Sequence, residues 1–174
     1  ISLSGKRKDG HGFHIKQIYF DALDTKKTLD TIIQAIQEID PEMIVVDRKN
    51  PAGVLLSPLL QKADFDVKEL NLSDIQNTTA LFMQLVDEGN ISIAQSVIME
   101  KALQDIKLRA KTAGICFERY SGDVAGLVAG AMAVYACNTL LESPVKVIPK
   151  KKAQNRIVKR GDGQWRSKSR RRRL

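Results

Sequence analysis

Cysteine is scarce: Cys116 and Cys137 are the two in 174 residues, and their spacing matches neither a metal cluster nor a disulfide framework. Both are expected as reduced, buried thiols. Long apolar runs are missing too. None approaches the roughly 20 residues that span a bilayer, and the amino end lacks the charged-then-apolar order of a secretion signal. A soluble, intracellular chain with no membrane partner is expected. No G-x-x-x-x-G-K-[ST] phosphate loop occurs, so ATP hydrolysis is not expected. Histidine is limited to His11 and His14, beside or within a predicted hairpin, where a solvated turn residue is a simpler reading than a metal ligand. There is no internal repeat. The chain opens on Ile1 in what reads as the middle of a strand, so further sequence is expected upstream.

Acidic residues are almost absent from the carboxyl end. Residues 146–174 carry 13 Lys/Arg against Asp162 alone, a net +12, which leaves −4 on residues 1–145 and +8 overall. That asymmetry implies a polyanion, most simply nucleic acid, held by the end of the chain near a mildly acidic body. Apolar periodicity also stops after Pro144. We therefore divide the chain into a folded domain, 1–145, and a flexible basic tail, 146–174. Within the tail, Lys150, Lys151, Lys152 and the run Arg170, Arg171, Arg172, Arg173, with Trp165 nearby, are candidate DNA contacts.

In the body, "ISLSGK" and "GFHIKQIYF" flank Asp9-Gly10 and predict an antiparallel hairpin. A helix capped by Asp24 follows, with Leu29, Ile32, Ile33 and Ile36 on one face and a stop at Asp40-Pro41. "MIVVD" is apolar on both faces, as an interior parallel strand should be. A helix over about 52–63 leads to the short strand "DVKEL", and Ser73 with Gln76 predicts a capping box for a helix carrying Ile75, Phe82, Leu85 and Val86, ended by Gly89. Residues 94–110 read as helix and "ICFER" as a strand. Last comes "GDVAGLVAGAMAVYACNTLL", a helix whose Gly126, Ala129, Gly130 and Ala133 allow close approach to another backbone. The alternation gives an α/β class with a mixed sheet.

Ligands of open α/β sheets bind beyond the carboxyl ends of the strands, where Asp47 falls, and the Pro51-Ala52-Gly53 turn should hold the next backbone close to it. Its plainer roles are capping the next helix or pairing with Arg48. Asp123, after Ser121-Gly122, stands at the tip of the small-residue helix, and its plainer role is a cap or a first-turn acid worth about 1 kcal/mol. Two or three carboxylates converging at a sheet edge suit two Mg²⁺ ions roughly 4 Å apart, which activate water and stabilise the leaving oxygen of a phosphodiester. Arg48 and Lys49 would contact the polyanion backbone. Glu118 and Tyr120 lie close before Asp123 and are within reach of such a site, although an edge strand explains them equally well. Glu100 and Asp105 read as a solvated helix face.

"IVVDRKNPAGVLLSPL" and, about seventy residues on, "FERYSGDVAGLVAGAMAVYA" resemble the C-terminal nuclease domain of tailed-phage terminase large subunits. There one acid ends a central strand before a Pro/Ala/Gly turn, matched by Asp47. Another begins a helix of pattern Asp-x-x-x-Leu-x-Ala-x-x-x-Ala, matched by Asp123, Leu127, Ala129 and Ala133. The resemblance covers roughly 1–142. It implies a ribonuclease H-like mixed sheet flanked by helices, and a Mg²⁺- or Mn²⁺-dependent endonuclease cutting concatemeric double-stranded DNA in the host cytoplasm. Asp47 and Asp123 would be its catalytic metal ligands. It further implies a third acid on a strand upstream of Ile1, an ATPase motor domain also upstream, and the capsid portal and small terminase subunit as partners. The alternatives are a non-catalytic DNA-binding or docking module, or another ribonuclease H-like nuclease such as a resolvase or transposase core.

Overall fold

The computed structural model describes residues 1–19, 21, 24–111, 114–118 and 122–141. Chain contacts divide the sequence into two units, Ile1–Pro144 and Val145–Leu174. The elements below belong to the first; the tail lysines and arginines lie outside the described residues, as does Tyr120.

The hairpin forms as its turn chemistry dictates. β1 (Ser2–Lys6) and β2 (Phe13–Gln17) pair antiparallel from Ser2 opposite Gln17 to Lys6 opposite Phe13. Asp9 accepts from the His11 amide at 2.9 Å, and Gly10 has φ 74°. Gly12, at φ 97°, lies so close to the Asn90 backbone that a Cβ would collide with it. That approach brings β5 (Ile91–Ile93) alongside β2 in parallel, completing a mixed sheet of order β1-β2-β5.

α1 (Thr25–Ile39) is capped by Asp24, which accepts from the Lys27 amide at 3.0 Å, and ends at Asp40 in the left-handed region, just before Pro41. β3 (Ile44–Asp47), α2 (Pro51–Lys62) and β4 (Val67–Leu70) form a parallel crossover unit with Ile44 opposite Val67 and Asp47 opposite Leu70. The expected interior position of β3 is not met among the described residues, where its one ladder partner is β4.

α3 (Leu72–Asp87) begins earlier than the Ser73–Gln76 reading requires. Asn71 is the cap and Asp74 its reciprocal partner, at 3.1 and 2.9 Å. Ile75, Phe82 and Leu85 are buried, whereas Val86 is exposed on the far side of the last turn. Gly89, at φ 70°, follows the end of the helix as expected. The continuous helix expected over 94–110 is instead α4 (Val97–Asp105) followed by β6 (Lys107–Lys111), which pairs antiparallel with β7 (Gly114–Glu118). "KLRAK" alternates charged and apolar residues with period two, and a partner strand is available seven residues on.

The core centres on α5 (Ala125–Tyr135), which continues as a π-helical stretch, Ala136–Leu140. It packs on β1, β2, α3 and α4. Val124, Leu127 and Val134 join Ile15 and Leu70 as fully buried side chains. Phe82 and Phe117 meet edge to face, centroids 5.7 Å apart. Gly126 and Gly130 face Gln17 and Ile15 across β2, so the close approach foreseen for this helix is against side chains there, while Ala129 and Ala133 line a groove. The class is α/β, with a mixed sheet and, among the described residues, five α-helices.

Candidate functional site

Asp47 closes β3 and is buried, 7% exposed. The ladder extends one step beyond it, the Arg48 amide donating to Leu70 O at 3.1 Å. The chain then turns: the Lys49 amide donates to Asp47 Oδ1 at 2.9 Å and the Asn50 amide to Asp47 O at 3.2 Å. Asn50 caps α2 by accepting from the Ala52 amide at 2.9 Å, and Pro51 occupies the first helical position, where its missing N–H costs nothing. Pro51 and Gly53 therefore belong to the first turn of α2. Gly53 lies directly against the Asp47 carbonyl, with no room for a Cβ. Of the plainer roles for Asp47, capping of α2 falls to Asn50 instead, and Arg48 lies 3.9 Å from Glu69 on β4.

Arg48 is 71% exposed, so its pairing with Glu69 is a surface contact worth at most about 1 kcal/mol, and its guanidinium remains available to an anion. Glu69 is held in turn by Ser57, whose hydroxyl donates to it at 2.7 Å. Lys49 and Asp47 both line a groove of about 1310 Å³ bounded by β1, β3, α1, α2 and α5.

Asp123 immediately precedes the cap residue Val124, which makes no side-chain capping bond. Its carboxylate is 62% exposed and lies 3.9 Å from Lys101 Nζ on α4. Val124 and Ala125 line the groove that Asp47 also lines; Asp123 is not among the lining residues. The structure thus brings the start of α5 and the end of β3 to one groove, with one acid buried in its wall and the other beside it in solvent.

Glu118 ends β7 and pairs with Arg109 across the hairpin at 3.8 Å. His14 Nδ1 lies 3.0 Å from Ser92 Oγ on the neighbouring strand, and both are surface groups. The two cysteines are free thiols: Cys116 is buried, and Cys137 is half-buried, its pKa pushed up by desolvation and then by the charge of Glu42. Among the described residues no group of three or more His, Cys, Asp or Glu side chains is arranged to hold a metal ion. Asp47 and Asp123 therefore do not by themselves make a two-ion centre, which needs further oxygen donors. The groove itself was not foreseen from sequence; its signal was the absence of charge from Ile44-Val45-Val46 and from Ser2-Leu3-Ser4-Gly5.

No family model, no curated protein and no solved structure matches the chain. No helix among the described residues is long and apolar enough to cross a membrane.

Proposed function

We propose that the chain is the nuclease portion of a viral DNA-packaging terminase large subunit, of ribonuclease H-like type, hydrolysing phosphodiesters of double-stranded DNA. One observation carries this reading: a buried, backbone-fixed carboxylate at the carboxyl end of a parallel strand borders the groove that also meets the first turn of the Asp123 helix. Asp47 and Asp123 supply two carboxylates for Mg²⁺ or Mn²⁺. The remaining donors come from outside the described residues. Arg48 and Lys49 contact phosphates, and Lys150 to Lys152 with Arg170 to Arg173 anchor DNA without sequence preference. The purified protein should nick plasmid DNA with Mn²⁺ or Mg²⁺, and Asp47→Asn or Asp123→Asn should abolish nicking. Mutants that cut as well as the parent would show the assignment to be wrong.

The exposure of Asp123 and its proximity to Lys101 favour a second reading, a DNA-docking module in which binding resides in the tail. That reading requires that deleting 146–174 abolish DNA affinity and that Mn²⁺ leave the melting temperature unchanged. A Mn²⁺-dependent rise that disappears in Asp47→Asn counts against it.

A further inference from the structure

α2 is apolar on two faces. Gly53, Leu56, Ser57 and Leu60 form its buried side. Pro51, Val54, Leu55 and Pro58, at i, i+3, i+4 and i+7, make a second stripe on the opposite side, and all four are exposed, Val54 at 56% and Leu55 at 48%. A surface helix ordinarily carries polar side chains there, as α1 does with Lys26, Asp30, Gln34 and Gln37. Single exposed apolar residues are commonplace, whereas a contiguous run of them on one face marks an interaction surface.

The charges around the stripe define its partner. From Arg48 to Ala63 the chain carries three cations, all exposed, and no acid. Arg48 and Lys49 precede the stripe, and Lys62 continues it one turn beyond Pro58 on the same face. Glu69 on β4, which meets Arg48, is itself held by the Ser57 hydroxyl. A second copy of α2 would be repelled: a parallel arrangement sets like charge on like, and an antiparallel one sets Lys62 against Arg48 and Lys49. A helix that lies on lipid turns its other face to water, but the other face of α2 is packed in the body.

We propose that the outer face of α2 docks an acidic amphipathic helix of a partner protein, with apolar side chains at the same i, i+3, i+4, i+7 spacing and carboxylates beyond both ends of that run. The stripe spans about 12 Å along the helix axis at 1.5 Å per residue, so two to three turns of the partner cover it. With packed axes roughly 8–10 Å apart, Val54 and Leu55 enter the partner's grooves, and its acids meet Arg48, Lys49 and Lys62. This does not depend on the nuclease reading.

The probe is a labelled synthetic peptide of about 15 residues with leucines at that spacing and glutamates between them. Its comparison peptide has the same composition with the leucines out of register, so both meet the basic tail equally. By fluorescence anisotropy with the 174-residue chain at about 0.15 M salt, the in-register peptide should bind at least tenfold more tightly. Val54→Gln with Leu55→Gln, at exposed positions, should erase that difference while the melting temperature stays within a few degrees, and Lys62→Glu should reduce it severalfold. Equal binding of the two peptides overturns the proposal, as does a preference that survives the double glutamine variant. A lysine version of the in-register peptide that binds as tightly as the glutamate one removes the charge argument and overturns it too. Dimers in sedimentation that dissociate in the double variant would assign the face to a second copy, and phosphatidylglycerol vesicles bound through Val54 and Leu55 in preference to the peptide would assign it to lipid; either result overturns the proposal.

Discussion

Gly53→Ala tests how Asp47 is held. A Cβ at this position would overlap the Asp47 carbonyl oxygen and lie 3.0 Å from its carbon. Both are backbone atoms at the end of a hydrogen-bonded ladder, so neither can rotate aside. Overpacking of this kind costs up to about 3 kcal/mol, while alanine's higher helix propensity and smaller unfolded-state entropy return about 1 kcal/mol. The expected net loss is about 2 kcal/mol. For a folded unit of 144 residues that is a fall of about 4–8 °C in melting temperature, or about 1 M in urea midpoint at a slope near 2 kcal/mol/M. Gly5→Ala is the control, since its Cβ would have no neighbour within 4 Å and φ is not positive; a change within about 1 kcal/mol is expected. The assay is urea unfolding of all three proteins by circular dichroism, checked for a constant slope. A Gly53→Ala midpoint at or above the parent's would refute the backbone contact and, with it, the account of how Asp47 is oriented.

Asn71→Ala removes one half of the reciprocal cap of α3 and should cost about 1 kcal/mol in the same unfolding assay, with Ser73→Ala near neutral because Ser73 is not the cap. A double-mutant cycle on Phe82 and Phe117 should give a coupling of about 0.5–1.5 kcal/mol from their edge-to-face contact. Burial, followed by the nearby Asp74 charge, raises the pKa of Tyr135, although a hydrogen bond from Asn77 opposes this in part. A phenol whose folded pKa lies above its unfolded value of about 10 contributes stability that is present below pH 10 and lost as pH rises through the folded value. Tyr135→Phe should therefore flatten the alkaline limb of a stability–pH curve recorded by urea titration, and an unchanged limb would place the loss elsewhere.

The parts of the fold legible in the sequence are those that local chemistry decides. Asp9-Gly10 requires a turn, Asp24 offers an oxygen to a free helix amide, Asp40-Pro41 stops a helix, and Gly89 takes a positive φ after one. β5 and β6 were hidden because three to five residues carry too little periodicity, and each is a strand by virtue of its partner, β2 or β7. The α3 cap was misplaced by two residues because Asn71 and Asp74 offer the same chemistry as Ser73 and Gln76, and tertiary packing sets the frame. At the site, the position of Asp47 at a strand end was readable from "MIVVD". Its burial was not, since that depends on Gly53 and on the Asn50 cap that relieves Asp47 of the same duty. The exposure of Asp123 likewise follows from α4, whose Lys101 lies beside it.

Among the described residues no ladder hydrogen bond joins β1-β2-β5 to β3-β4, and α5 packs against both sheets. Side-chain packing is non-directional, so sliding one sheet past the other breaks no backbone bond until the apolar contacts on α5 are lost. The β3-α2-β4 unit is therefore able to open as a separate cooperative block, at a free energy below that of global unfolding. Pulled from its ends, the chain should yield first along this seam, in a shorter first step than complete unfolding would give.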